Sequence, residues 1–132
     1  MDLWDNYKTS VFLCHQPLGD QINFAIISAQ NPCGHVQTPS RNLLLDTHFA
    51  KTLDSLHVPY REIVGCSPDL RFQEKSWAVL CDKPRAIKLA IMFEQNAIYW
   101  VEQGKLYLVP ALLQQDEEYL GEFHPRQIVL GQ

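Results

Sequence analysis

Two helix starts, each set among strand-like stretches, constrain this chain more than any other feature of it. Thr38 stands directly before Pro39. A threonine there caps a helix with its side-chain oxygen, and proline at the first helical position loses nothing by lacking an N–H. Leu45, Phe49, Leu53 and Leu56 then recur at intervals of four, four and three, an apolar stripe along one helix that Pro59 ends. Asp82 caps a second helix, KPRAIKLAIMFEQ, whose Ala86, Leu89, Ala90 and Phe93 share a face. Between and around these helices the pattern turns to strands. INFAIISA is almost continuously apolar, which suits a strand covered on both sides. YREIVG begins with the polar Arg61 and Glu62, which suggests a sheet edge. SWAVLC and NAIYWV are further strands, and LYLVP closes a hairpin across the turn EQGK.

From Ile22 to Val101 the order is therefore β-α-β-β-α-β. That order predicts an α+β fold with a ferredoxin-like core, a mainly antiparallel sheet and two helices on one face. SVFLCH adds an N-terminal strand before this core, and LYLVP adds a C-terminal hairpin strand after it. DLWDNYKT makes a short opening helix with Trp4 and Tyr7 on one side. At 132 residues the chain has room for one hydrophobic core and not two. Residues 1–110 form a single α+β domain in this reading, and residues 111–132 are a C-terminal tail packed on it or extending from it. Within that tail a short helix is expected over Leu112 to Tyr119, followed by an extended end.

Composition narrows the function classes. An apolar content of 46% with 20% charged residues excludes wholesale disorder. The formal charge of −4 argues against nonspecific nucleic-acid binding, which needs Lys and Arg to neutralise phosphates. MDLWDNYKTS lacks the basic-then-apolar pattern of an export leader. The longest apolar runs, FAII and LAIMF, fall well short of the roughly 18 residues that a spanning helix requires. The expectation is a cytoplasmic protein without membrane contact, whose Cys14, Cys33, Cys66 and Cys81 stay reduced.

Chain direction then places three connections at one end of the sheet: Asn31 to Asn42, Cys66 to Lys75, and Glu94 to Asn96. Their polar residues make a candidate ligand-binding set of Asn31, Ser40, Arg41, Asn42, Asp69, Arg71, Glu74, Ser76, Gln95 and Asn96. The start of the first long helix points the same way and favours an anion. Arg41 and Arg71 would neutralise it, while Asn31, Asn42, Gln95 and Asn96 supply directional hydrogen bonds. The expected function is a binding module for a small polar or anionic molecule or a partner protein at this loop end. A metal-dependent hydrolase of a phosphoester or nucleotide, acting through Asp69 and Glu74, is the alternative from another class. Purely structural association through a sheet edge or the tail is a third.

Other constellations carry less. Cys14-His15 and Cys33-x-His35 have the letters of a zinc site, but a strand of about nine residues between them, at ~3.3 Å each, sets the pairs ~30 Å apart. A Cys33 nucleophile near a helix start has only proximity in sequence to recommend it. Trp77, Tyr99 and Trp100 read as strand packing, since Tyr99 and Trp100 face opposite sides of the sheet. No glycine-rich phosphate loop, nucleophile elbow or His-Glu-x-x-His pattern is present, and no cofactor or metal is called for.

The segments FAIISAQNP, SRNLLL, VPYREIVGCSPD, QEKSWAV and FEQNAIYWVEQGKLYLVP, in that order, resemble the small bacterial proteins of the domain of unknown function 3293 family. The likeness runs from about Trp4 to Pro110 and implies a free-standing bacterial protein. It brings no activity, cofactor or catalytic residue with it. It does set family-like motifs at the loop end: Asn31-Pro32, Ser40 with Asn42, Pro68-Asp69, Glu74 with Ser76, and Gln95-Asn96. Cys33 and His35 stand outside that pattern.

Overall fold

The computed structural model describes residues 2–131; Met1 and Gln132 lie outside it. The elements run α1 (Leu3–Tyr7), β1 (Val11–Cys14), β2 (Phe24–Ile27), α2 (Pro39–Leu56), β3 (Tyr60–Cys66), β4 (Gln73–Val79), α3 (Lys83–Met92), β5 (Ala97–Glu102), β6 (Lys105–Pro110), β7 (Glu118–Glu122) and β8 (Gln127–Val129). The helix starts form as their capping chemistry demands. Thr38 accepts from the Arg41 amide and Asp82 from the Arg85 amide, each ahead of a proline in the first turn. The β5–β6 hairpin turns on Gln103 and Gly104, both with positive φ, which matches the right-handed twist of its strands.

All eight strands join one mixed sheet in the order β7-β6-β5-β2-β4-β3-β1-β8. Every pairing is antiparallel except β1 with β8. The expected edge at β3 is found only in part. β4 pairs with its whole length, but β1 reaches only Val64, Gly65 and Cys66. Arg61 and Glu62 therefore have a strand on one side only, and both are exposed.

Alternation along the strands sorts the core into two clusters. Ala25, Ile27, Trp77, Val79, Ile98 and Trp100 pack with Phe49 and Leu53 of α2 and with Ala86, Leu89 and Ala90 of α3. The opposite parity puts Phe24, Ile26, Ala78 and Val101 with Phe12, Cys14, Leu106 and Phe123. This second cluster exists because the sheet curls. β7 and β8 sit at opposite ends of the strand order, seven spacings apart, which is ~34 Å across a flat sheet. Only residues 123–126 connect them, a reach of at most ~18 Å. The two edges must therefore bend toward each other. The ring of Phe12 on β1 accordingly meets that of Tyr99 on β5 at 5.0 Å, although β2, β4 and β3 lie between those strands.

Side chains secure the closure. Arg126 donates to the carbonyls of Lys8, Ser10 and Leu120, tying the start of the chain to β7. Lys8 pairs with Glu118 at 3.2 Å, and Gln127 accepts from the Leu18 amide. The segment after Pro110 thus supplies two strands and the buried Phe123. The helix expected over Leu112 to Tyr119 does not form. Instead, the amides of Ala111, Leu112 and Leu113 all point at the Asn96 carbonyl, and the chain extends into β7.

Candidate functional site

The three connections do meet, and Asn31 is where they join. It follows β2 in left-handed backbone, φ 49°, a conformation that asparagine tolerates better than most residues. Its amide N–H donates to Asn42 Oδ1 and its Nδ2 to Glu74 Oε2 at 2.9 Å. Its Oδ1 accepts from Asn42 Nδ2 and from the Gln37 backbone amide. One side chain thereby links α2, the loop before α2 and β4. The neighbouring Gln30 carbonyl accepts from Gln95 Nε2, and the Cys33 amide donates to the Glu94 carbonyl, which brings in the third connection.

Gln30 also reaches α2, where its Nε2 donates to Asp46 Oδ2 at 2.8 Å. Asp46 is only 4% exposed, and its Oδ1 is buried with no hydrogen-bond partner. Burial pushes its carboxyl above the usual range, against the opposing pull of the Gln30 amide and of Lys75. Gln30, Gln37, Pro39, Asn42, Leu43 and Asp46 line a shallow depression of about 340 Å³ beside this carboxylate.

Glu74 belongs to the other face of the sheet. It shares strand parity with Ala78, which packs in the Phe12 cluster, whereas Trp77 packs beneath α2. Burial raises the Glu74 carboxyl too, while the hydroxyl of Ser28 and the amide of Asn31 work the other way, and the Asp46 charge adds to the rise. On that side Asn96 Nδ2 donates to the Tyr7 hydroxyl, and Tyr99 donates to the Tyr7 carbonyl and accepts from the Ser10 hydroxyl. Burial raises the Tyr7 phenol as well. The site thus has an outer part under α2 around Asp46 and an inner part at the mouth of the curl around Glu74, with Asn31 between them.

The remaining expected residues fall outside this set. Ser40 and Arg41 are exposed on the first turn of α2. Asp69 closes its own turn, accepting from the Ser67 hydroxyl and the Arg71 amide, with the exposed Arg71 guanidinium 3.8 Å away. Those short-range contacts hold the Asp69 carboxyl below its usual range, the Ser67 hydrogen bond most of all. Ser76 is buried and donates to the Glu74 carbonyl, a role within β4. Asp69 and Glu74 share no hydrogen-bond partner among the described residues. Those residues also contain no group of three or more His, Cys, Asp or Glu able to hold a metal ion, and no helix long and apolar enough to cross a membrane. Cys14 and Cys81 are pushed up to about 11 by burial, which leaves both thiols protonated at neutral pH.

Sequence reasoning missed Gln30, Gln37, Tyr7 and above all Asp46. The signal for Asp46 was its spacing: it lies four residues after Asn42 and three before Phe49, so Asn42, Asp46, Phe49 and Leu53 line one helical face.

A curled, mixed eight-stranded sheet with two long helices, carrying a polar knot where two loops meet the start of β4, defines the class of α+β protein. The chain belongs to the family described as Protein of unknown function (DUF3293), whose model matches residues 27–98. That stretch is narrower than the likeness read from the sequence, yet it contains all three site connections. No curated protein and no solved structure matches the chain.

Proposed function

We propose that this protein is a binding module for a small polar ligand, held at the loop end. The observation that carries the reading is the single hydrogen-bonded set running from Asn42 through Asn31 to Glu74, with Gln30 tied to both Asp46 and Gln95, beside an open depression. Loops that cross-link one another in this way form a fixed receptor, which lowers the ordering cost of binding. Hydrolysis through Asp69 and Glu74 would need both carboxylates on one ion, and each is engaged with different neighbours. The strand order β5-β2-β4-β3, with α2 and α3 as the connections, supports a ferredoxin-like reading of the centre in which both helices cover one face. A thermal-shift screen of polar metabolites, followed by amide chemical-shift mapping of each hit, tests the proposal. Binding here moves the amides of residues 30–46, 74–75 and 94–96. Hits that map elsewhere, or a screen without hits, overturn it.

A further inference from the structure

We propose that the depression beside α2 takes a cation bearing N–H donors, an alkylammonium or guanidinium group, seated against Asp46. This rests on the binding-module reading above and assigns its ligand class. Its lining holds one carboxylate and no lysine or arginine. The Asp46 oxygen that Gln30 does not hold is closed to solvent and partnerless, so the carboxylate's charge is unmet by any hydrogen bond there, and a cation in the depression would offset that charge without touching the oxygen.

The amides of the lining point the same way. Gln30 turns its nitrogen to Asp46, Gln37 turns its nitrogen to the His35 carbonyl, and Asn42 turns its nitrogen to Asn31. Each orientation is forced, since the alternative would set oxygen against oxygen. The side-chain carbonyls of Gln30 and Gln37 then accept nothing from the described residues and remain to receive donors.

An anion would find little here. The start of α2 keeps only the Ser40 amide: Pro39 has no N–H, the Arg41 amide is taken by the Thr38 hydroxyl, and the Asn42 amide by the Thr38 carbonyl. Arg41 and Arg71, the cations expected to hold an anion, do not line the depression. At about 340 Å³ it stands near the lower limit of ligand pockets, roughly 300–1,000 Å³, so it suits one small amine or one side chain. Pro39 and Leu43 give that group an apolar wall for its alkyl stem.

The test is an amide chemical-shift titration of the full chain at constant ionic strength. The probes are agmatine and cadaverine, the amide of Nα-acetyl-lysine as a peptide side-chain mimic, then sodium acetate, sodium phosphate and magnesium chloride. The amines are expected to move the amides of Gln30, Gln37, Asn42 and Asp46. Asp46→Asn should weaken them at least ~tenfold, the loss of one nearby charge at a partly desolvated site, and Gln37→Ala should weaken them less while leaving the fold intact. Tighter binding of the free amines than of the acetyl-lysine amide assigns a small molecule, and the reverse order assigns a protein side chain; either supports the ligand class. Acetate or phosphate moving these amides in place of the amines overturns the charge assignment and leaves the site reading standing. Saturation by magnesium alone replaces the proposal with a metal site. No response to any probe removes the cation proposal, and a metabolite screen that also finds no hit removes the site reading with it.

Discussion

Replacing Asp46 with asparagine should make this protein more stable at neutral pH, the reverse of the usual result for a buried residue. The side chain is 4% exposed, one oxygen is satisfied by Gln30 and the other has no partner. Burial is the largest influence on its carboxyl and the net shift is upward, so folding opposes its ionisation. Asparagine retains an oxygen for Gln30 Nε2 and removes the charge. An unsatisfied buried polar group costs about 1–3 kcal/mol, and the variant leaves a neutral orphan in place of a charged one, so about 1 kcal/mol should be recovered. For a chain of this length that is a rise of roughly 3–5 °C in Tm.

The pH dependence gives the sharper check. An acid whose folded pKa is raised contributes stability that is fully present below the unfolded value, ~3.9 for aspartate, and is lost as pH climbs through the folded value. The native chain should therefore lose stability relative to Asp46→Asn as pH rises from ~3.9, the unfolded value, through the raised folded value. The Asp46 charge adds to the rise of the Glu74 carboxyl, so Asp46→Asn also lowers Glu74 part of the way, and the measured difference carries both groups with the same sign. Urea unfolding of both chains across that range measures it. A variant less stable at high pH, or an advantage of the same size at both ends, would refute the reasoning.

Two further outcomes follow from the geometry. Asn31→Ala removes the side-chain bonds to Glu74, Asn42 and Gln37 and leaves a residue ill-suited to φ 49°, so unfolding free energy should fall by about 2–4 kcal/mol, with Asn31→Gly falling less. A loss under ~1 kcal/mol in urea titrations would show that the knot is not a structural unit. Phe123→Ala opens the cluster where its ring meets Phe12 and Phe24, each at 5.6 Å, and should cost about 3–5 kcal/mol. Hydrogen exchange should then accelerate in β7, β8 and β1 before β2 and β4; uniform acceleration would deny that the curl closes as a separate step.

What could be read from the residues was local. Thr38, Asp82 and the Gln103-Gly104 turn act on the nearest few residues, and each produced the element its chemistry requires. Chain direction alone set Asn31, Glu74 and Gln95 at one end of the sheet, though the loop carrying Asp69 and Arg71 folds back on itself there. The curl was not legible, because it depends on β8 finding β1 and on Arg126 finding Lys8 across 118 positions, and no periodicity encodes such pairings. β7 gave little to read: EYLGE alternates weakly, contains Gly121 and follows a polar run, so a short helix looked as natural. Asp46 was hidden by its neighbour. The apolar stripe was drawn through Leu45, and an acid beside such a stripe reads as solvent-facing, yet Asp46 is the one turned inward while Leu45 is only partly buried.

The meeting of first and last strands has a consequence for synthesis. As β1 emerges from the ribosome, both of its flanking partners, β3 and β8, are still unmade, and the aromatic rings of Phe12 and Phe24 stay open to water until Phe123 and β8 are translated. β2 through β5 can assemble during translation, leaving a half-wound trough with sticky walls that β7, Phe123 and β8 must later seal. A nascent chain stalled near Pro110 is thus the form of this protein with most need of a chaperone.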